Sequence, residues 1–260
     1  MNIQTSSAPV RVLHVTDPHL FAAADSSLRG TVTQSTFTAV LDHYRESGWI
    51  ADLVAMTGDV IQDDTAAAYD RFISLIDPLG LPVYCVPGNH DVRPLMRAAL
   101  SRPPFYYCDA VTIGNWLVTG IDSCLDDDAG GRVSNHEMAR LEAQLSNTTA
   151  DHVAICLHHP PLAMGSHWLD QVGLKNAEDF LALIARCGKV RVALFGHVHQ
   201  EFDEFYESIR IIGTPSTCRQ FQPGSDEFAL DEKPPAYRRV ELFADGSVDA
   251  KLIWITTGNL

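Results

Sequence analysis

Five apolar runs in the 260-residue sequence each stop at side chains that can bind a cation or move a proton. Leu13-His14-Val15-Thr16 runs into Asp17-Pro18-His19, and Leu53-Val54-Ala55-Met56-Thr57 into Gly58-Asp59. Val83-Tyr84-Cys85-Val86-Pro87 leads to Gly88-Asn89-His90-Asp91. Val153-Ala154-Ile155-Cys156-Leu157 leads to His158-His159, and Val192-Ala193-Leu194-Phe195 to Gly196-His197-Val198-His199. The set Asp17, His19, Asp59, Asn89, His158, His197 and His199 offers oxygen and imidazole nitrogen, with no thiolate. That mixture suits Mn, Fe or Zn better than Ca or a structural Zn–Cys site. These seven donors are too many for one ion and right for two, if one carboxylate bridges. Two divalent ions beside Asp17 and Asp59 leave a positive excess, which would hold a phosphate and polarise a water between the ions.

Side chains so far apart in sequence meet only if a scaffold delivers them. In α/β sheets the carboxyl ends of strands converge on one crevice. Residues 10–16, 53–56, 82–86, 115–121, 153–157 and 190–195 read as strands. Helical patterns fall at 33–46, where Phe37, Val40, Leu41 and Tyr44 share one face, and at 66–76, 94–100, 134–145 and 177–186. Ser134 and Glu137 have capping-box spacing. After Gly196 the pattern changes to closely spaced strands at 201–206, 209–212, 237–242 and 248–255, with a hairpin-like turn at Ala244-Asp245-Gly246. This order predicts an α/β fold with two packed sheets flanked by helices, in one domain over 1–260. Gly58, Gly88 and Gly196 precede ligand-type residues, where the chain must turn sharply or approach a ligand closely. Asp17/His19 and His197/His199 are i, i+2 pairs, so an extended backbone would aim both members of each pair to one side.

Composition excludes other classes. A chain 46% hydrophobic is neither disordered, collagenous nor coiled-coil. The formal net charge of −14 opposes nucleic-acid polymers and anionic membranes as partners. No stretch approaches the roughly 20 apolar residues of a bilayer span, and Met1 to Ser7 lacks the basic and apolar parts of a secretory leader. The six cysteines (85, 108, 124, 156, 187 and 218) form no C-x-x-C pair. They read as free thiols of a reduced compartment, so a cytoplasmic location is expected. His14, His43, His136 and His152 stand outside the five blocks and read as ordinary side chains.

The five blocks, in this order, resemble the calcineurin-like metallophosphoesterases: D-x-H, G-D, G-N-H-[DE], a His block and G-H-x-H, spanning Asp17 to His199. The resemblance implies a four-layer αββα sandwich with a binuclear site on its loops. It implies that Asp17, His19 and His199 bind one ion, that Asn89, His158 and His197 bind the other, and that Asp59 bridges. His90 is then no ligand but faces the scissile phosphate, with Asp91 orienting its ring; both are candidate catalytic residues. His19, Asp59, Asn89, His90 and His199 would line the phosphate. Two divalent ions, Fe2+ and/or Mn2+, are implied as cofactors.

Family subtype narrows the substrate. Purple acid phosphatases carry G-D-x-x-Y, and Gln62 holds the Tyr position here. Protein phosphatases of the superfamily have an Arg soon after G-D, where this chain runs Val60-Ile61-Gln62-Asp63-Asp64. Diacylglucosamine-pyrophosphate hydrolases have G-N-R-D, with His90 in place of the Arg. The segments Trp168-Leu169-Asp170-Gln171, Leu174-Lys175-Asn176-Ala177 and Thr214-Pro215-Ser216-Thr217-Cys218-Arg219-Gln220-Phe221 resemble the bacterial class III cyclic-nucleotide phosphodiesterases, specifically those acting on 3′,5′-cyclic AMP. That implies hydrolysis of cyclic AMP to 5′-AMP by a hydroxide between the metals, lowering cellular cyclic AMP, in a family that includes homodimers. Two alternatives stay open: an ADP-ribose-like pyrophosphatase or broad-range phosphodiesterase, and a non-catalytic metal-binding scaffold. His159 should face away from His158 and pack or hydrogen-bond beside the site. Trp168 is expected either to stack on adenine or to anchor its loop.

Overall fold

The structure is a computed structural model that describes residues 8–256; the opening segment, read above for a secretory leader, lies outside the described residues. Twelve strands build two sheets. The first six, in chain order, are β1 (Val10–Val15), β2 (Leu53–Met56), β3 (Val83–Cys85), β4 (Phe105–Tyr107), β5 (Ala110–Ile113) and β6 (Trp116–Gly120). The rest are β7 (His152–Cys156), β8 (Val190–Phe195), β9 (Phe202–Tyr206), β10 (Ile209–Gly213), β11 (Ala236–Leu242) and β12 (Val248–Trp254). The first sheet has the order β12-β11-β1-β2-β3-β4 and the second β9-β10-β8-β7-β6-β5. Both are mixed. β1, β2, β3 and β4 run parallel, as do β10, β8, β7 and β6; antiparallel strands close both edges of the second sheet and one edge of the first, whose other edge is the parallel β4.

Strand periodicity sorts the side chains into layers. Along β1, Leu13 and Val15 face helices α1 (Thr33–Glu46), α2 (Ala66–Ile76) and α3 (Arg93–Ala99), packing with Phe37, Tyr69, Phe72 and Met96. Val10 and Val12 point the other way, into an inter-sheet layer with Trp116, Val118, Ala154, Val192 and Leu194. The outer face of the second sheet meets α4 (Asn135–Asn147), the single-turn α5 (His167–Asp170) and α6 (Ala177–Cys187) through Leu141, Leu145, Leu169, Phe180 and Ile184. The layering is αββα, as the sequence order predicts. The capping box at α4 is half formed: Ser134 Oγ accepts from the Glu137 N–H at 3.1 Å. The Glu137 carboxylate instead accepts from Arg140 and from the Asp122 N–H, because the cation sits one turn along the same helix. The sequence pattern missed β4 and β5, which are short, and the two-residue pairings of Ser27–Leu28 with Thr31–Val32 and Gln220–Phe221 with Leu230–Asp231.

Candidate metal centre

Every parallel strand of the two inner sets points its carboxyl end toward one crevice, and the loops after β1, β2, β3, β7 and β8 carry the five blocks. Asp17, His19, Asp59, His158, His197 and His199 are all buried; Asn89 is half-buried and His90 exposed at the rim. His19 Nε2 is 3.1 Å from His199 Nε2, and Asp17 Oδ1 is 3.4 Å from the same His199 nitrogen. On the other side, Asn89 Oδ1 is 3.2 Å from His158 Nε2 and 2.9 Å from His197 Nδ1. Asp59 Oδ2 stands between the groups, 3.7 Å from His19 Nε2 and 3.4 Å from His158 Nε2.

The proton positions say what this cluster needs. His158 Nδ1 lies 2.7 Å from the Thr57 carbonyl, His199 Nδ1 2.6 Å from the Arg219 carbonyl, and His19 Nδ1 2.8 Å from Gln62 Oε1. Those oxygens only accept, so each of the three rings spends its one neutral-state proton outward and turns a bare Nε2 inward. Three lone pairs, two carboxylates and an amide oxygen then converge away from water, a donor-poor arrangement that cations resolve. The groups Asp17/His19/His199 and Asp17/Asp59/His158 each bring ligand atoms within 4.8 Å of one another, as a metal site requires. The donor set fits two divalent ions of the Mn, Fe or Zn kind.

Charge inside the cluster follows burial. His19 falls to about 4 and His197 to about 3, because burial disfavours the imidazolium. Burial also pulls on His158, but the Asp59 carboxylate outweighs it and lifts that ring to about 9, so without metal its Nε2 carries a second proton toward Asp59 that a bound ion would displace. Asp59 itself is held well below the ordinary carboxylate range, its burial penalty overcome by the His158 charge and hydrogen bond. Neutral His19 and His197 are in the form that ligates a metal.

Three sequence expectations need correction or refinement. The i, i+2 pairs are not extended: Asp17, His19, His197 and His199 have φ of 53°, 47°, 70° and 48°, and Asp59 has 50°. These residues have left their strands for left-handed turns, a conformation non-glycine residues hold only when the surroundings impose it. Asp91 does not orient the His90 ring. Its carboxylate accepts from the backbone N–H groups of Gly88 (2.9 Å) and Val60 (3.1 Å) and from the Tyr69 hydroxyl (2.9 Å), tying the third loop to the second. Burial, with Asp59 nearby, raises Asp91 to about 7. The ring of His90 instead meets Gln62, whose Nε2 is 3.3 Å from His90 Nδ1. The glycines at 88 and 196 make room for protein, not for ligand: a Cβ at Gly88 would stand 2.2 Å from Asp59 Oδ1, and one at Gly196 2.0 Å from Thr16 Oγ1.

His159 packs beside the centre, 4.8 Å from the His197 ring, with Nδ1 on Ser123 Oγ (2.9 Å) and Nε2 on the Ala129 carbonyl (3.2 Å). Both nitrogens are spent, which agrees with a hydrogen-bonding role beside the site. Trp168 stands edge-to-face against Phe221 and Phe228, each at 5.3 Å, which fits the loop anchor. Sequence reasoning assigned no chemistry to 214–221, yet this segment supports the site. Ser216 Oγ donates to the Asp17 carbonyl, the Arg219 carbonyl receives His199, and Phe221 stacks flat on the His199 ring at 4.1 Å.

Residues 10–201 match the calcineurin-like phosphoesterase family model, and the chain belongs to that family. Proteins of this family are metal-dependent hydrolases that hold two divalent ions, which the Asp/His clusters here accommodate. Among characterised relatives, the chain is 36% identical over 255 residues to the 3′,5′-cyclic adenosine monophosphate phosphodiesterase CpdA of Vibrio vulnificus, covering 98% of this chain and 93% of that protein. It is 37% identical to CpdA of Escherichia coli K12 (94% and 90%) and 34% identical to a 3′,5′-cyclic-nucleotide phosphodiesterase of Nostoc (94% and 92%). The fold is shared with a dimetal phosphatase from Danio rerio, at TM-score 0.65 and 18% identity over 95% of this chain and all of the other. It is also shared with a purple acid phosphatase from yellow lupin, at TM-score 0.71 and 15% identity over 98% of this chain and 53% of the other. Among the described residues no helix is long and apolar enough to cross a membrane.

Proposed function

We propose that this chain hydrolyses 3′,5′-cyclic AMP to 5′-AMP and so lowers cellular cyclic AMP. The reading rests on one observation above all: three histidines committed outward through Nδ1 aim their Nε2 atoms at two buried aspartates, in a chain similar over nearly its whole length to cyclic-AMP phosphodiesterases. Asp17, His19 and His199 would hold one ion and Asn89, His158 and His197 the other, with Asp59 between them. Fe2+ and Mn2+ are the expected pair, since imidazole and carboxylate together suit both. When bound, two divalent ions would supply Lewis acidity and lower the pKa of a water at the site toward roughly 7.

The chain's own residues do the rest. Thr57, Arg219 and Gln62 fix the ring orientations through the bonds described above. The Asp59 carboxylate accepts the His90 backbone N–H at 2.8 Å, placing the His90 ring 5.0 Å from that of His19 at the open rim. From the rim His90 would reach a phosphodiester bound against the ligand cluster, where it would stabilise or protonate the leaving ribose 3′ oxygen, a poor leaving group that needs such help. His19, Asp59, Asn89 and His199 face the phosphate. Asp91 serves this step by holding the loop that carries Asn89 and His90. The free thiols fit a cytoplasmic setting, and the chain from 1 to 260 is read as one functional unit.

The test is hydrolysis by Mn-reconstituted protein of 3′,5′-cyclic AMP, ADP-ribose and bis-p-nitrophenyl phosphate side by side, with His199→Ala as control. Saturable release of 5′-AMP, lost in the variant, is expected. Cleavage of the synthetic diester but not of cyclic AMP would keep the site and overturn the substrate.

A further inference from the structure

We propose that Gln62 is a positioning residue that sets the tautomers of His19 and His90 together, so that one side-chain amide prepares a bare nitrogen on the first ring and an outward N–H donor on the second. This rests on the function proposed above, in which His19 holds metal and His90 faces the leaving oxygen. Gln62 is half-buried three residues after Asp59, and its own N–H donates to the Leu20 carbonyl at 2.8 Å, pinning the second loop to the first. Its Oε1 is 2.8 Å from His19 Nδ1 and its Nε2 3.3 Å from His90 Nδ1.

An amide oxygen only accepts and an amide nitrogen only donates. His19 Nε2 faces His199 Nε2 at 3.1 Å and Asp59 at 3.7 Å, so it can ligate only when bare, and the His19 proton must sit on Nδ1. That proton commits Gln62 Oε1, which turns the Gln62 N–H toward His90. His90 Nδ1 must then accept, and the His90 proton is left on Nε2, across the ring. Among the described residues no other hydrogen bond reaches the His90 ring. A carboxylate at position 62 would accept from both rings and demand a proton on His90 Nδ1; glutamine demands the reverse. His90 thus meets the substrate as a fixed N–H donor, like an oxyanion-hole group. In the hydrolysis the bond from phosphorus to O3′ breaks and a bond from phosphorus to the water oxygen forms. One water proton ends on O3′ and the other leaves to solvent, while the His90 N–H stays on nitrogen, stabilising the charge on O3′ as it develops.

The experiment compares wild type, Gln62→Met, His90→Ala and the double variant at saturating Mn2+, with metal content measured and kcat and KM determined on cyclic AMP and on bis-p-nitrophenyl phosphate. The tautomer of His90 is read in parallel from imidazole 15N shifts of the diamagnetic Zn2+-loaded protein, assigned by loss of the signal in His90→Ala. Gln62→Met is expected to lower kcat on cyclic AMP at least tenfold with KM within threefold. The loss on bis-p-nitrophenyl phosphate, whose leaving group needs little help, should be at least fivefold smaller. In the His90→Ala background Gln62→Met should cost less than twofold more, because the two act as one unit. Wild-type His90 should carry its proton on Nε2. Multiplicative losses in the double variant, equal losses on both substrates, or a His90 proton on Nδ1 in wild type would each overturn the role of Gln62. A wild-type protein inert toward cyclic AMP would sink the proposed substrate instead, and the 15N shifts would still decide the tautomer.

Discussion

At the residue scale the centre is an exercise in keeping acceptors facing one another. Asp59 is its pivot, since one carboxylate oxygen holds the His90 backbone and the other lies between His19 and His158. Asp59→Asn keeps the shape but removes the charge that both groups share and puts an N–H where lone pairs converge. Bound Mn should fall from two ions per chain toward one, and turnover of cyclic AMP should fall more than about 100-fold; metal analysis beside steady-state kinetics checks both. The sequence made the ligand types legible because each follows an apolar run whose end the fold must bring to the crevice. It did not reveal the partners of those ligands. Gln62 is a lone glutamine in a polar turn, and its two imidazole contacts are set by loop geometry that no local pattern encodes. Asp91 misled for the converse reason: adjacency to His90 in sequence says nothing of direction, and its carboxylate turns back to the Gly88 and Val60 amides.

At the element scale, the strands and helices around the site were legible and the tight connections were not. The helices Thr33–Glu46 and Ala66–Ile76 and the strands Leu53–Met56 and Val190–Phe195 follow their hydrophobic periods to the residue. The segment 214–221 has no such period, because its role is to deliver hydroxyl donors to the first loop and one backbone carbonyl and one aromatic face to the fifth. The left-handed φ values at Asp17, His19, Asp59, His197 and His199 likewise follow from how five loops crowd together. Gly88 offers a way to measure that crowding. Its φ is ordinary, so alanine there is not strained by backbone conformation, but the new Cβ would meet Asp59 Oδ1 at 2.2 Å and Asp59 N at 2.4 Å. Gly30 is the contrasting case, with φ of +82° and open space around a Cβ. Gly88→Ala is therefore expected to displace Asp59 and lose metal and activity by more than about tenfold, with stability lowered by roughly 1–3 kcal/mol for the overpacking. Gly30→Ala should cost about 1 kcal/mol from its backbone alone and leave metal content unchanged. Metal titration and thermal unfolding of the two variants separate the effects.

At the scale of the whole molecule, what holds the halves of the site in register is the contact between the sheets, and His14 sits in it. The ring is fully buried, with Nε2 2.8 Å from the Thr57 hydroxyl beyond β2 of the first sheet and Nδ1 2.8 Å from the Thr214 hydroxyl beyond β10 of the second. Burial first, and the neighbouring Arg238 guanidinium second, pull its pKa from 6.5 down to about 3. The sign of the resulting pH dependence follows from proton counts. Between pH 6.5 and 3 the unfolded chain binds a proton at His14 that the folded chain refuses, so acid favours unfolding. The stability owed to this neutral histidine is fully present above pH 6.5 and is lost as pH falls toward 3, at up to about 1.4 kcal/mol per pH unit. His14→Gln replaces the ring with a neutral group that can still bond both hydroxyls. It should cost about 1–3 kcal/mol at pH 7.5 through poorer packing, yet the gap to wild type should narrow steadily between pH 6.5 and 4.5. Urea unfolding of both metal-free proteins across that range checks the expectation. A gap that stays constant with pH would mean that His14 takes its proton in the folded state, and that the two sheets separate enough at this point to let water reach it.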